Sequence, residues 1–327
     1  MLQYKRVFLS LIKRRGCFIK GNKVPEFSII VNCLNGEQFL RRSLDSIFNQ
    51  SYEDWEVIFF DNNSNDSSAE IAKSYGKKIK YYKSDETFTL GKARDMAIDL
   101  TNGKFIAYLD VDDLWQNQKL EIQRSLFIDD IDFVYTNTLI TDDDDNSFSL
   151  FNYSKPASGE IFGDLLRNDF IPTSSIAIRK DSISKLEQRY DHSLTLECDR
   201  DFILRLSRIG TCNYTEECLT QRFIHENNTI FLEKEASFNE LKVLNNKIVE
   251  IAIDEKSNEE ALNIFIANID EKIARSHWNK GEKIKARKIF RKHRNFSKHW
   301  LLYILTYILP NRLDMKKLSA FIRAIRR

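Results

Sequence analysis

Three apolar runs, Phe27–Cys33, Trp55–Phe60 and Phe105–Leu109, each stop abruptly in a polar cluster. Between them lie segments whose apolar residues recur at helical spacing, such as Leu40, Leu44, Ile47 and Phe48. Strands that alternate with helices predict right-handed βαβ units and an α/β fold with a mostly parallel sheet flanked by helices. Open sheets of this kind bind ligands at the carboxyl ends of their strands. Short helices over 67–75 and 91–100 and a short strand over 80–82 fit the same alternation. Farther along, the spacing predicts a helix over 116–127, a strand over 132–140 and a helix over 161–167. A strand over 175–178, a helix over 199–209 and two late strands at 213–214 and 219–224 complete it. Asp142–Asp145 reads as a solvated hairpin tip, since nothing apolar anchors it.

With 327 residues, a large core is within reach and about two domains are the default. Only 4 Pro and 10 Gly argue against long linkers. The 5 Cys are scattered with no Cys-x-x-Cys pair, which suggests neither a zinc site nor a disulfide framework and fits a reducing, cytoplasmic setting. The net charge is only +2, yet it is unevenly placed. A basic N-terminal extension over 1–24 holds Lys5, Arg6, Lys13, Arg14, Arg15, Lys20 and Lys23 without an acid. The end of the chain is basic as well, from Lys283 to Arg327, so the middle is net acidic. Such polarity points to an anionic surface as partner. No apolar run reaches the roughly 18 residues of a spanning helix; the longest, Trp300–Leu309, is stopped by Pro310.

The run Tyr108-Leu-Asp-Val-Asp-Asp-Leu-Trp115 places Asp110, Asp112 and Asp113 at the end of a buried strand. Clustered carboxylates repel unless a cation or donor relieves them. Their oxygens suit Mg²⁺ or Mn²⁺, ions commonly shared with substrate phosphates. Read alone, the run is equally an acidic, solvated turn.

Four segments decide between these readings by their order. Ser28–Asn35 ends the first strand and Glu56–Asp66 the second. Leu90-Gly-Lys-Ala-Arg-Asp-Met-Ala97 opens a helix just before Gly103–Asp113. This order and spacing resembles the family 2 glycosyltransferases of GT-A fold, inverting enzymes that use nucleotide-sugars, over roughly residues 26 to 225. The resemblance implies a catalytic domain over 25–230, with a nucleotide-sugar half to 115 and an acceptor half from 116. A helical, basic region over 231–327 follows it.

The resemblance also implies roles. Asp61 would hydrogen-bond the donor base, usually uracil. Cys33, Leu34, Asn35 and Glu37 would contact base and ribose; Cys33-Leu34 departs from the commoner Thr-Tyr and lacks an aromatic to stack on the base. Lys92 and Arg94 would approach the diphosphate. Asp110 would lie near the ribose or metal and Asp112 on the metal, with His225 as a further ligand and Arg222 near phosphate. Asp113 would be supporting. Aligned on Arg205-Leu206, Asp199 falls on the carboxylate usually assigned as general base; Asp201 is the weaker alternative, and Glu197 stands beside Cys198, where Glu is usual.

Beyond 231 the pattern is helical, and residues 273–290 resemble one tetratricopeptide-type hairpin broken at Asn279–Gly281. One such unit cannot bury its own face. It would pack on the catalytic domain, on a second subunit in a homo-oligomer, or against an anionic membrane. The expected reaction is metal-dependent, inverting transfer from a UDP-sugar to a glycan or lipid-linked acceptor in bacterial surface polysaccharide synthesis, without nucleic acid as partner. The alternatives are a nucleotidyltransferase, whose early Gly-rich basic loop is missing, and a transferase-like binding or scaffold protein. A dehalogenase-type Asp-x-Asp would want Thr or Val where Asp113-Leu114 stands.

Overall fold

The computed structural model describes residues 24–225, 234–252, 258–293, 295 and 297–308. The basic N-terminal stretch through Lys23, the Glu226–Asn228 segment and the terminal arginines lie outside the described residues.

One nine-stranded sheet organises the chain. Its first half is β1 (Phe27–Cys33), β2 (Trp55–Asp61), β3 (Ile79–Lys83) and β4 (Phe105–Tyr108), all parallel, in the order β3-β2-β1-β4. The crossovers are α1 (Glu37–Phe48), α2 (Ser68–Ser74) and α3 (Leu90–Ile98). Every residue of β1 and β2 is buried. Ile30 and Ile58 face one core and Ile29, Val31 and Val57 the other, which is why these strands read as continuous apolar runs rather than alternating ones.

The second half departs from a parallel sheet. β5 (Leu114–Trp115), β6 (Phe133–Asp142), β7 (Ser147–Ser149), β8 (Ile176–Arg179) and β9 (Cys212–Ile224) join it with mixed polarity. β8 runs antiparallel to β4 and β6, while β6 and β9 are parallel. Parallel neighbours need a helical crossover, but β6–β7 is a hairpin and β5 pairs antiparallel with β9. The two late strands form a single β9, interrupted by a register shift opposite Thr136–Thr138. Asp142–Asp145 is the hairpin tip, with Asp142 Oδ1 accepting from Asp144 and Asn146 N–H. Between strands lie α4 (Lys119–Leu126), α5 (Phe162–Arg167), α6 (Lys180–Ile183) and α7 (Cys198–Ile209).

Among the described residues four helices follow: α8 (Lys234–Ala252), α9 (Glu259–Asn279), α10 (Lys283–Lys292) and α11 (Ser297–Ile308). The break between α9 and α10 falls at Gly281, whose φ of 81° suits glycine. Leu241, Leu244, Ile248, Phe265 and Ile269 join the same core as Phe202 and Leu206 of α7. The α9–α10 hairpin closes over α11 in a smaller core of Trp278, Phe290, Leu302 and Leu305. The apolar segment of α11 therefore buries part of its surface within the chain, while Trp300 and Tyr307 stay 54% and 59% exposed.

Candidate active site

The carboxyl end of β4 opens onto a crevice, and the turn after it carries the three acids. Pairing of β5 with β9, Leu114 opposite Gln221, lays Asp112 beside the end of β9. His225 Nε2 thereby comes within 3.3 Å of Asp112 Oδ2, and its ring stacks on Phe39. Asp110 turns the other way. Its Oδ1 accepts from Arg94 Nη2 at 2.8 Å. Asp113 is buried and accepts from the Ser174 hydroxyl at 2.5 Å, and that hydroxyl also accepts from Asp110 N–H.

The three acids are electrostatically unlike. Burial, and then the charge of Asp110, raises the carboxyls of Asp112 and Asp113, the latter well above the usual range. Asp113 is bonded to its serine partner under the turn and also lines the crevice. Ser174 itself is not legible as functional; the Pro172-Thr-Ser-Ser175 cluster signals only a turn.

On the opposite wall, the second residue of α7, Asp199, reaches the crevice with 21% of its side chain exposed. Arg94 grips both its oxygens, Nε at 2.6 Å from Oδ1 and Nη2 at 2.8 Å from Oδ2. One guanidinium thus spans Asp110 and Asp199. Arg94 is 1% exposed, and its burial opposes the charge, but the two carboxylates outweigh it and hold the group protonated. Breaking such a buried pair from one side costs about 3–5 kcal/mol. Arg94 lies under the crevice floor with its guanidinium turned to the two carboxylates. Burial raises the carboxyl of Asp199, with Arg94 opposing and Asp110 adding to the rise. The Thr173 hydroxyl also bonds this carboxylate, and the two lone pairs of each oxygen are shared among these partners.

Asp201, the alternative base, points away from the crevice lining. It is fully buried, its Oδ2 held by Arg205 and its Oδ1 2.9 Å from Lys247 Nζ. Glu197 lines the crevice, with its carboxyl raised by burial, and Cys198 is buried with its thiol donating to Thr195 carbonyl.

The predicted donor contacts divide. Asp61 is fully buried: its Oδ1 accepts from Ser64 N–H and its Oδ2 from the Tyr81 hydroxyl. It shapes the loop after β2 from beneath. Cys33 is likewise inside, its thiol raised by burial and its sulfur packed under Gly36. Both follow the inward side of a strand buried on two faces. Leu34, Asn35 and Glu37 are exposed at the rim. Asn35, at φ 54°, accepts from Asn65 N–H, and Glu37 accepts from Ser67 N–H, which ties the two rim loops together. The Lys92 ammonium rests over the Phe88 ring.

A crevice of about 240 Å³ is lined by Asp110, Asp113, Glu197, Asp199 and Arg222, with Lys272 contributed by α9. Among the described residues no three His, Cys, Asp or Glu side chains are gathered as a ready-made metal cage. Asp112 and His225 nevertheless form an oxygen-nitrogen pair of the type Mn²⁺ accepts. Hard divalent ions bound by one or two protein ligands commonly complete their shell with substrate phosphates and water. The pair fits such an ion; Asp110 gives one oxygen, Oδ1, to Arg94 and keeps 39% of its side chain exposed.

Residues 28–186 match the model of Glycosyl transferase family 2. An uncharacterized glycosyltransferase of Methanocaldococcus jannaschii is 29% identical over 188 residues, 55% of this chain and 64% of that protein. The UDP-Glc:alpha-D-GlcNAc-diphosphoundecaprenol beta-1,3-glucosyltransferase of Escherichia coli is 33% identical over 112 residues, 34% of this chain and 44% of its own. The amylovoran biosynthesis glycosyltransferase of Erwinia amylovora is 28% identical over 199 residues, with 56% and 64% covered. The chain thus spans under two thirds of these relatives. Among solved structures, S. aureus TarS 1–349 in complex with UDP-GlcNAc superposes with a TM-score of 0.62 at 16% identity, covering 81% of each chain. A Pyrobaculum calidifontis mannosyltransferase in complex with GDP-Man and Mn²⁺ gives 0.56 at 13% identity, covering 91% of each. The fold is GT-A.

Proposed function

The chain belongs to glycosyl transferase family 2, and from that premise we propose that it moves a sugar from a nucleoside-diphosphate sugar, a UDP-sugar by preference, to a hydroxyl of a glycan or lipid-linked acceptor. The observation that carries this reading is Arg94. It fixes Asp110 of the donor turn and Asp199 of the opposite wall on one guanidinium, so that both face one crevice. A two-substrate transfer needs such a facing pair.

The donor would enter between the rim loops and the acid turn, with Leu34, Asn35 and Glu37 at the nucleoside end and Lys92 nearest the diphosphate. Asp112 and His225 would hold Mn²⁺ or Mg²⁺ against the diphosphate oxygens. A bound ion there supplies Lewis-acid neutralisation of the leaving group. The acceptor would occupy the crevice lined by Glu197, Arg222 and Lys272. Asp199 would take the proton of the acceptor hydroxyl as that oxygen bonds to the anomeric carbon. The bond from that carbon to the diphosphate oxygen breaks on the opposite face, which inverts the configuration.

The relatives named for polysaccharide and diphosphoundecaprenol chemistry support a lipid-linked or surface-glycan acceptor. Exposed groups on the last helices suit an anionic membrane face. α10 has six basic residues and no acid, with Ile284 77% exposed, and α11 exposes Trp300 and Tyr307. No helix of the described residues is long and apolar enough to cross a membrane.

Binding of UDP and UDP-sugars, with and without Mn²⁺, tests the donor half. Asp112→Ala should weaken UDP binding in the presence of Mn²⁺ by about tenfold or more, since even outer-shell partners of a metal commonly contribute that much. Affinity equal to wild type would remove Asp112 from the metal.

A further inference from the structure

We propose that Glu240, on the helix that follows the GT-A fold, is a positioning residue for the base Asp199. The inference rests on the proposed transfer reaction. Helix α7 begins without a side-chain cap of its own. Three successive N–H groups before it, those of Thr195, Leu196 and Glu197, converge instead on the Glu240 carboxylate at 2.7–3.1 Å. Consecutive N–H groups that point to one spot form an anion cradle, and charge-assisted bonds to a carboxylate are the stronger kind. The anion that fills this cradle comes from α8, more than forty residues later in the chain.

Seven residues on, two turns along the same face of α8, Lys247 binds Asp191 Oδ2 and Asp201 Oδ1, each at 2.9 Å. One acid and one base therefore clamp the segment that carries Asp199 from both ends. The other side of that segment rests on α3: Gly91 N–H donates to the Leu194 carbonyl at 3.0 Å, and a Cβ at Gly91 would stand 2.8 Å from the same oxygen. The base loop is thus pressed between the helix that bears Arg94 and α8. Asp199 meets Arg94 at 2.6 Å, close enough that a shift of the loop changes where its oxygens point.

The test is steady-state transfer with saturating donor, together with donor affinity, for Glu240→Ala in the full chain. A base displaced on the order of 1 Å predicts a fall in kcat of roughly 100-fold, with donor affinity unchanged. Acetate, a small carboxylate that can enter the cradle, should restore part of kcat in Glu240→Ala and do nothing for wild type. If Glu240→Ala does not fold, Glu240→Gln, which keeps the volume but loses the charge and one acceptor oxygen, is read by kcat against donor affinity alone, since its side chain leaves acetate no room in the cradle. A folded variant with wild-type kcat, or one whose lost kcat acetate leaves untouched while donor affinity falls in parallel, overturns the inference. A wild type that binds donor but transfers no sugar would instead sink the transferase reading, and the positioning role with it.

Discussion

The donor side and the acceptor side of the crevice are built by different means. On the donor side, every strand from β1 to β4 is parallel, and each loop is fixed by neighbours close in the fold. Asn35 bonds Asn65, Glu37 bonds Ser67, and Asp61 bonds Ser64 and Tyr81. At the opposite, amino end of these strands, Ser28, Glu56, Asn102 and Gly103 join in one polar network. On the acceptor side, mixed strand polarity and a helix start lacking its own cap leave the base to be held from elsewhere. Arg94 reaches it from the donor half and Glu240 from α8. The contrast teaches that donor binding should survive insults which abolish transfer, whereas the reverse should not hold.

Asp199→Asn gives the sharpest separation. The amide keeps the volume and one acceptor oxygen for Arg94 but cannot take a proton. General-base catalysis is commonly worth about 10²–10⁴-fold, so kcat should fall by that much while UDP affinity stays within the scatter of wild type. The same residue predicts an acid limb. A base works only when deprotonated, and burial raises Asp199 above its ordinary 3.8. Activity should therefore decline on acidification at a pH above that value, and the limb should be absent from donor binding. Equal kcat in Asp199→Asn and wild type would move the base and erase the asymmetry between the halves.

Gly103→Ala strikes the donor half alone. A Cβ there would lie 2.5 Å from Ser28 N and 2.9 Å from its hydroxyl, in the network that joins β1, β2 and β4. Overpacking of this kind usually costs about 1–3 kcal/mol. A lower urea midpoint with kcat unchanged well below the melting temperature is expected. A loss of kcat at full stability would show that sheet packing and catalysis are coupled more tightly than the contrast allows.

How much of this could be read from the chain follows the same divide. The donor strands announce themselves because both faces are buried, so Phe27–Cys33 and Trp55–Asp61 are unbroken apolar runs. The same property hides which way their ends point. Cys33 and Asp61 look like ligand contacts by position, yet two-sided burial turns them inward, a matter of side-chain direction that composition does not carry. Arg94 is legible as a cation near the site, but whether it meets a phosphate or two carboxylates depends on Asp199, 105 residues away. The split of β9 into two predicted strands reflects the register shift at Thr136–Thr138, where polar residues interrupt the apolar pattern. Glu240 has no signal at all: one glutamate on an amphipathic helix is indistinguishable from its solvated neighbours until the fold brings three N–H groups to it.

The smallest expected effect concerns the second grip of α8. Burial tends to raise the Asp191 carboxyl, but the Ser193 hydroxyl and N–H and the Lys247 ammonium outweigh it and hold the group at about 2, below its ordinary 3.8. A carboxyl depressed in the folded state stabilises the fold fully above its unfolded value and loses that contribution as pH falls through the folded one. Stability from this contact should therefore be intact above pH 3.8 and drain away toward about 2. Asp191 is near the surface, so the contribution is about 0.2–1 kcal/mol after solvent screening. Lys247→Met should flatten the decline of the urea midpoint between pH 4 and 2, while its loss at pH 5 also includes the buried Asp201 left without that ammonium. Ser193 continues to hold part of the shift in that variant, so the decline narrows without disappearing. Parallel curves for variant and wild type would assign the low Asp191 value to Ser193 alone.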